Sequence, residues 1–247
     1  MKQLYIRGVR AVGAPLRAAG LLGRLERRAP RSRPAAWAAS LFAIHDVDGL
    51  QRLDVPWWTF DSAERVATWL GEHPGARVFE WGSGASTLWL AARAGEVHSV
   101  EHHAGWAEVL APRLPANVVL RVVEPVATPA PVVPSAKPGH GGLDFADYVA
   151  AIDDVPGTFD VVVIDGRARE ACLERAVDRL ASGGLIVFDN VDRQRYVDAI
   201  DRSLEVAGTG GRDRLAMTMT RGLTPALPYP TRTALISSVP GAVPEVT

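Results

Sequence analysis

The feature that most constrains this chain is Val161-Val162-Val163-Ile164, an uninterrupted β-branched run set between Asp160 and Asp165. β-Branched side chains are stiff at χ1 and suit a pleated backbone. A run with no polar alternation has no face to offer water, so it predicts a strand buried on both sides in a parallel sheet. Shorter runs around it read the same way. Val78-Phe79-Glu80-Trp81, Val97–Glu101, Val118–Val123, Phe159–Asp165 and Leu185–Asp189 are predicted strands, with helical patterns between them. One helix is expected from about Ser86 to Arg93. Another carries Leu173, Ala176, Val177 and Leu180 and ends at Ser182-Gly183-Gly184. A third, begun by Asp192, carries Tyr196, Ala199, Ile200 and Leu204. Strand–helix alternation implies an α/β fold with helices on both faces. Arg214–Thr220 and Thr231–Val239 follow with no clear helix between them. The sheet should therefore be mainly parallel, with an antiparallel C-terminal edge strand.

Composition narrows the class further. At 247 residues, 47% hydrophobic and 22% charged, the chain is an ordinary globular protein and not a disordered one. The single cysteine, Cys172, excludes an internal disulfide framework and suits a reducing, cytoplasmic setting. No apolar stretch approaches the ~18 residues of a spanning helix. Richness in Arg, Ala, Pro and Val is consistent with a high-GC bacterial source. The net charge of −1 hides an asymmetry: residues 1–33 hold Lys2 and eight arginines against Glu26 alone. Leu4, Val9, Val12, Leu16, Ala19, Leu22 and Leu25 recur there at near-helical spacing. Such an arm can lie on an anionic membrane, meet a partner or sister subunit, or fold against its own domain. The acidic body argues against nucleic acid as a substrate.

Three parts follow: a basic arm at 1–33, a helical cap at 34–76 and an α/β body at 77–247 with an insertion at 124–158. In the cap, Asp61-Ser62-Ala63-Glu64 reads as a capping-box start. Trp57-Trp58-Thr59-Phe60, just before it, is either an aromatic wall for an acceptor or part of the core. The insertion holds Pro125, Pro129, Pro131, Pro134 and Pro138, closes with Gly139-His140-Gly141-Gly142, and suits a lid or binding loop. Phe145, Tyr148, Val149 and Ile152 then mark a short amphipathic helix.

The chemistry gathers at the strand ends. Glu80-Trp81-Gly82-Ser83-Gly84-Ala85-Ser86-Thr87 joins a strand to a helix start, and Glu101 closes the next strand. Glycines let backbone approach a ligand closely, and an acid at that second strand end can accept hydrogen bonds from ribose hydroxyls. A dinucleotide loop wants a third glycine where Thr87 stands. Glu80 suits a cationic amino-acid tail better than a pyrophosphate. A nicotinamide-dependent oxidoreductase and a non-catalytic cofactor-binding scaffold are the rival readings. Asp165 and the pair Asp189-Asn190 end later parallel strands on the same rim and could hold a divalent cation such as Mg2+.

On E-W-G-S-G-A-S-T, Glu101, V-V-V-I-D-G at 161–166 and G-G-L-I-V-F-D-N at 183–190, residues 57–240 resemble the class I S-adenosylmethionine-dependent methyltransferases. The resemblance implies a Rossmann-like methyltransferase fold that binds S-adenosylmethionine. It puts Gly82, Ser83 and Gly84 against the methionine part, with Ser86 and Thr87 alongside, Glu80 near the amino group and Glu101 on the ribose. His102, Asp165 and Gly166 border the same crevice. Asp165 with Asp189-Asn190 is similar to the magnesium-dependent O-methyltransferases, although Ala168 stands where those carry a lysine base. The expected reaction is O-methylation of a small-molecule or sugar hydroxyl, with Asp165 and His140 as candidate catalytic groups. His140 could swing over the site from the insertion, and His103 and His45 are further histidines nearby in sequence.

Overall fold

In a computed structural model the described residues are 15–44, 46–207 and 214–238. The first part of the predicted arm, His45 and the predicted strand's last residue Val239 lie outside them.

Helices α1 (Leu21–Arg28), α2 (Arg33–Ser40), α3 (Val47–Arg52) and α4 (Phe60–Glu72) lie ahead of the sheet. The body then runs β1 (Arg77–Trp81), α5 (Ala85–Ala91), β2 (Glu96–Glu101), α6 (Ala104–Leu110) and β3 (Val118–Val122). The insertion contributes β4 (Val126–Ala127), β5 (Leu143–Asp144) and α7 (Ala146–Ala150). After it come β6 (Phe159–Ile164), α8 (Arg169–Arg179), β7 (Leu180–Asp189), α9 (Gln194–Ala207), β8 (Ala216–Gly222) and β9 (Thr231–Ser237).

The seven-stranded sheet has the order β3-β2-β1-β6-β7-β9-β8. β1 pairs in parallel with β2 on one side and β6 on the other, so the winding reverses between β1 and β6. Open α/β sheets bind ligands outside the carboxyl ends of the strands at such a reversal. β9 runs antiparallel to both β7 and β8, and the hairpin closes that edge as the sequence predicts.

The β6 run is buried on both faces, as its composition demands. Val162 and Ile164 join Phe79, Trp81, Phe188 and the side chains of α7, α8 and α9. Val161 and Val163 join Trp58, Trp69, Trp89 and Leu235 on the opposite face. The core therefore lies in two layers with the sheet between them.

Two local expectations change. Ser182-Gly183-Gly184 does not stop a helix: it lies inside β7, which already pairs with Phe159 at Leu180 and then shifts register. Gly183 has φ 75°, and a Cβ on Gly184 would come within 2.9 Å of the Asp160 carbonyl, so the glycines serve a bulge. The cap of α4 is Thr59, whose hydroxyl accepts from the Ser62 N–H at 3.3 Å. Asp61 instead pairs with Arg33 at 2.6 Å, and Arg33 also reaches Glu64 at 2.7 Å. Leu22 and Ala29 are buried, so the described end of the arm folds against its own chain. Among the described residues, no helix is long and apolar enough to cross a membrane.

Trp58 is fully buried and packs edge-on to Trp89 at 5.7 Å, which makes it core and not an acceptor wall. Trp58→Ala should cost about 3–5 kcal/mol, the range for emptying a buried aromatic site, read as a lower denaturant midpoint at unchanged slope.

Candidate functional site

The crevice begins where β1 and β6 end. Gly82 has φ 97°, and a Cβ there would lie 2.7 Å from the backbone of Gly166. Gly166 is equally confined, with the Tyr148 hydroxyl 1.9 Å from where its own Cβ would stand. The two glycines thus allow one strand end to lie directly on the other, locked by the Asp165 N–H donating to the Trp81 carbonyl at 3.0 Å. On the other side, the Gly82 N–H donates to the Val100 carbonyl at 2.9 Å. At Gly84 an added Cβ would meet nothing within 4 Å, so the loop faces open space above this floor.

Glu80 lies beneath the loop, not in the crevice. It is fully buried, and it accepts from the hydroxyls of Ser86, Thr87 and Ser99, the last at 2.6 Å. Thr87 also accepts from the Gly84 N–H at 2.9 Å. Thr87 therefore stands in the third-glycine position because its hydroxyl ties the loop to Glu80. The expectation that Glu80 faces a cationic tail meets a side chain that is fully buried and turned to three hydroxyls inside the protein. Burial pushes its carboxyl up to about 7, against the pull of those hydroxyls.

Glu101 joins the loop to the end of β2. One oxygen accepts from the Ser83 N–H at 3.2 Å; the other accepts from the His102 and His103 N–H groups at 2.9 Å each. His102 Nδ1 lies 2.8 Å from that second oxygen. A carboxylate offers about four lone-pair positions, so room for a ligand hydroxyl remains. Together with the open space at Gly84, this donor set fits a phosphate-free nucleoside.

His140 lies at this end of the crevice. Its ring stacks on Phe145 at 5.9 Å and lies 6.3 Å from His102. Burial first, then Lys137, Arg167 and His102, lower its pKa and keep the imidazole neutral. Packing on Phe145 holds the ring beside His102.

The rim itself holds Asp165, Asp189 and Asn190. Asp165 accepts from Arg169 at 2.7 Å. Asp189 is 1% exposed and accepts from the Thr233 hydroxyl at 2.6 Å and from the Asn190 amide. Burial raises both carboxyls above the usual range, and the nearby Asp165 raises Asp189 further. A divalent cation does not fit this donor set. Asp165 Oδ1 already accepts from Arg169, and the two Asp189 oxygens accept from the Thr233 hydroxyl and the Asn190 amide nitrogen, which turns a donor toward the place a cation would take. A cavity of about 400 Å³ opens at the rim, lined by Asp165, Asp189 and Asn190 with Ile44, Trp57, Leu227 and Tyr229 among its walls. Nothing local in the sequence singles out Arg169, Thr233, Leu227 or Tyr229.

This strand order is that of a Rossmann-like methyltransferase fold. Residues 79–191 match the model of a family described as a methyltransferase domain. No sequence match was found among curated proteins. An O-methyltransferase from Bacillus cereus in complex with SAH is 18% identical, covering 81% of this chain and 97% of its own, with a TM-score of 0.54. The O-methyltransferase TomG from Streptomyces achromogenes, involved in tomaymycin synthesis and in complex with SAM, is 18% identical over 82% of this chain and 88% of its own, with a TM-score of 0.52. A cofactor-bound protein from MTB is 23% identical over 79% and 89%, with a TM-score of 0.51. At these identities the likeness is one of fold.

Two outcomes test the site. Gly82→Ala adds left-handed strain and a backbone collision, and should cost about 3 kcal/mol and weaken S-adenosylhomocysteine binding, read by melting and calorimetry. Glu80 keeps its proton in the folded state up to about pH 7. An unfolded glutamate releases it near 4.3, so folding stability should fall as pH rises through that window, by about 3 kcal/mol in all. Glu80→Gln should flatten that part of the melting-temperature profile between pH 4.5 and 7.

Proposed function

We propose that the chain transfers the methyl group of S-adenosylmethionine to a hydroxyl of a small-molecule or sugar acceptor. The observation that carries this is the cavity at the rim, which has Trp57 and Tyr229 among its walls and the oxygen-bearing Asp165, Asp189 and Asn190 at its base. Aromatic faces and carboxylate or amide acceptors together suit an uncharged ring bearing hydroxyl groups. Bound in the crevice, S-adenosylmethionine would supply an electrophilic methyl on a sulfonium.

The chain's own task is alignment. Gly82, Ser83 and Gly84, with Glu101 behind them, hold the donor along the ends of β1 and β2, and the rim orients the acceptor from the β6 and β7 side. As the oxygen–methyl bond forms and the sulfur–methyl bond breaks, the hydroxyl proton passes to the Asp165 carboxylate on the cavity wall. In-line displacement gains most from such positioning, and effective molarities for well-held pairs are large. His140 and Phe145 exclude water from the β2 end. A nicotinamide cofactor is disfavoured by Thr87, whose hydroxyl is committed to Glu80 and Gly84.

The test is calorimetric titration of the full chain with S-adenosylhomocysteine and with NADH, followed by transfer of labelled methyl to a panel of sugar, phenol and amine acceptors. Binding of S-adenosylhomocysteine alone and label on a hydroxyl are expected. Preference for NADH, or label only on nitrogen, overturns the proposal. Trp57→Ala should raise the KM for the acceptor about tenfold, consistent with about 1.4 kcal/mol of lost aromatic contact, while S-adenosylhomocysteine affinity stays unchanged.

A further inference from the structure

We infer that the guanidinium of Arg169 is the resident counter-cation of the strand-end rim, occupying the electrostatic role that a divalent metal would fill, and that methyl transfer in this chain therefore runs without metal. The inference rests on the proposed methyl transfer for its catalytic part and on geometry alone for its metal part.

Arg169 is 6% exposed, an unusual place for an arginine unless its charge is answered. It spans the ends of both β6 and β7. Nη2 donates to the Asp165 carboxylate at 2.7 Å and to the Asp165 carbonyl at 2.8 Å. Nε donates to the Gly166 carbonyl at 3.2 Å, and Nη1 to the Asp189 carbonyl at 2.5 Å. Ala168, the residue before it, adopts left-handed backbone at φ 47°, and Asn190 does so at φ 59°. Non-glycine residues in that region carry strain. Here the two turns bring the start of α8 back under the strand ends, so that the guanidinium reaches both.

Mg2+ demands near-octahedral oxygen ligands at 2.0–2.1 Å, with carboxylate lone pairs free to converge on it. In this chain Arg169 takes one oxygen of Asp165, the Thr233 hydroxyl takes one oxygen of Asp189, and the donor nitrogen of Asn190 faces the other Asp189 oxygen. Arg167 also lies close enough to stabilise the Asp165 charge. A dication added there would meet a fixed guanidinium at contact range, where like charges repel strongly in low dielectric. Arg169 does not border the cavity and is a positioning residue: it sets where the Asp165 and Asp189 carboxylates stand for the acceptor.

Three measurements on the full chain test this. In Mn2+ titration followed by electron paramagnetic resonance, the free-ion signal should be undiminished by wild-type protein; binding at micromolar Mn2+ overturns the inference. After EDTA dialysis, methyl transfer should be unchanged; loss restored by Mg2+ overturns it. Arg169→Met should lower kcat about tenfold or more, the scale of a lost charged hydrogen bond, with S-adenosylhomocysteine affinity kept within threefold. Arg169→Lys should recover part of that loss and serves if the methionine variant fails to fold. Wild-type kcat in Arg169→Met, or no recovery by lysine over a folded methionine variant, overturns the positioning role. The Mn2+ measurement needs no turnover. If no acceptor is methylated yet Mn2+ stays free, the proposed function fails while the metal inference stands.

Discussion

The contact of Gly82 on Gly166 is the constraint from which the rest of the site follows. Two parallel strands that end side by side would ordinarily be held apart by the first side chains beyond the sheet. With no Cβ on either residue, the chain after β1 and the chain after β6 meet backbone to backbone. The loop at 82–84 is then forced outward over α5, and the chain after β6 is forced toward β7. One close approach therefore separates a side running to Glu101 from a side running to Asp189.

Buried negative charge is answered differently on the two sides. Beneath the loop, Glu80 is surrounded by hydroxyls, which can donate but carry no charge, and burial keeps its proton to about pH 7. At the rim, Asp165 and Asp189 share a permanent cation in Arg169. The first arrangement holds a loop in shape without placing a strong field in the crevice. The second sets a cation against two carboxyls that burial makes hard to ionise, and so offsets part of that cost.

Much of the fold was legible because its signals are local. The β6 run, the strand and glycine-loop junction, and the closing hairpin each declare themselves within a few residues. The misread elements share a different property: their meaning depends on a distant strand. Gly183 and Gly184 look like a helix stop until Asp160 is seen opposite them, and Asp61 looks like a cap until Thr59 is seen bonded to Ser62 and Thr220. Glu80 was assigned to a ligand because its three hydroxyl partners lie 6 to 19 residues away and leave no pattern of their own. Tyr229 and Leu227 were invisible as cavity walls since they sit in an ordinary proline-bearing loop.

That loop is stitched to the helical cap across most of the chain's length. Trp37 Nε1 donates to the Leu227 carbonyl at 2.8 Å, and the Ala226 N–H donates to the Ser40 hydroxyl at 2.9 Å. The Ser40 hydroxyl and Ala226 are buried, so each lost partner would strand a polar group at about 1–3 kcal/mol. The consequence concerns how acceptor preference can drift. Segments near opposite termini are obliged to change together, and a graft of either one alone would unsettle the other before it altered selectivity.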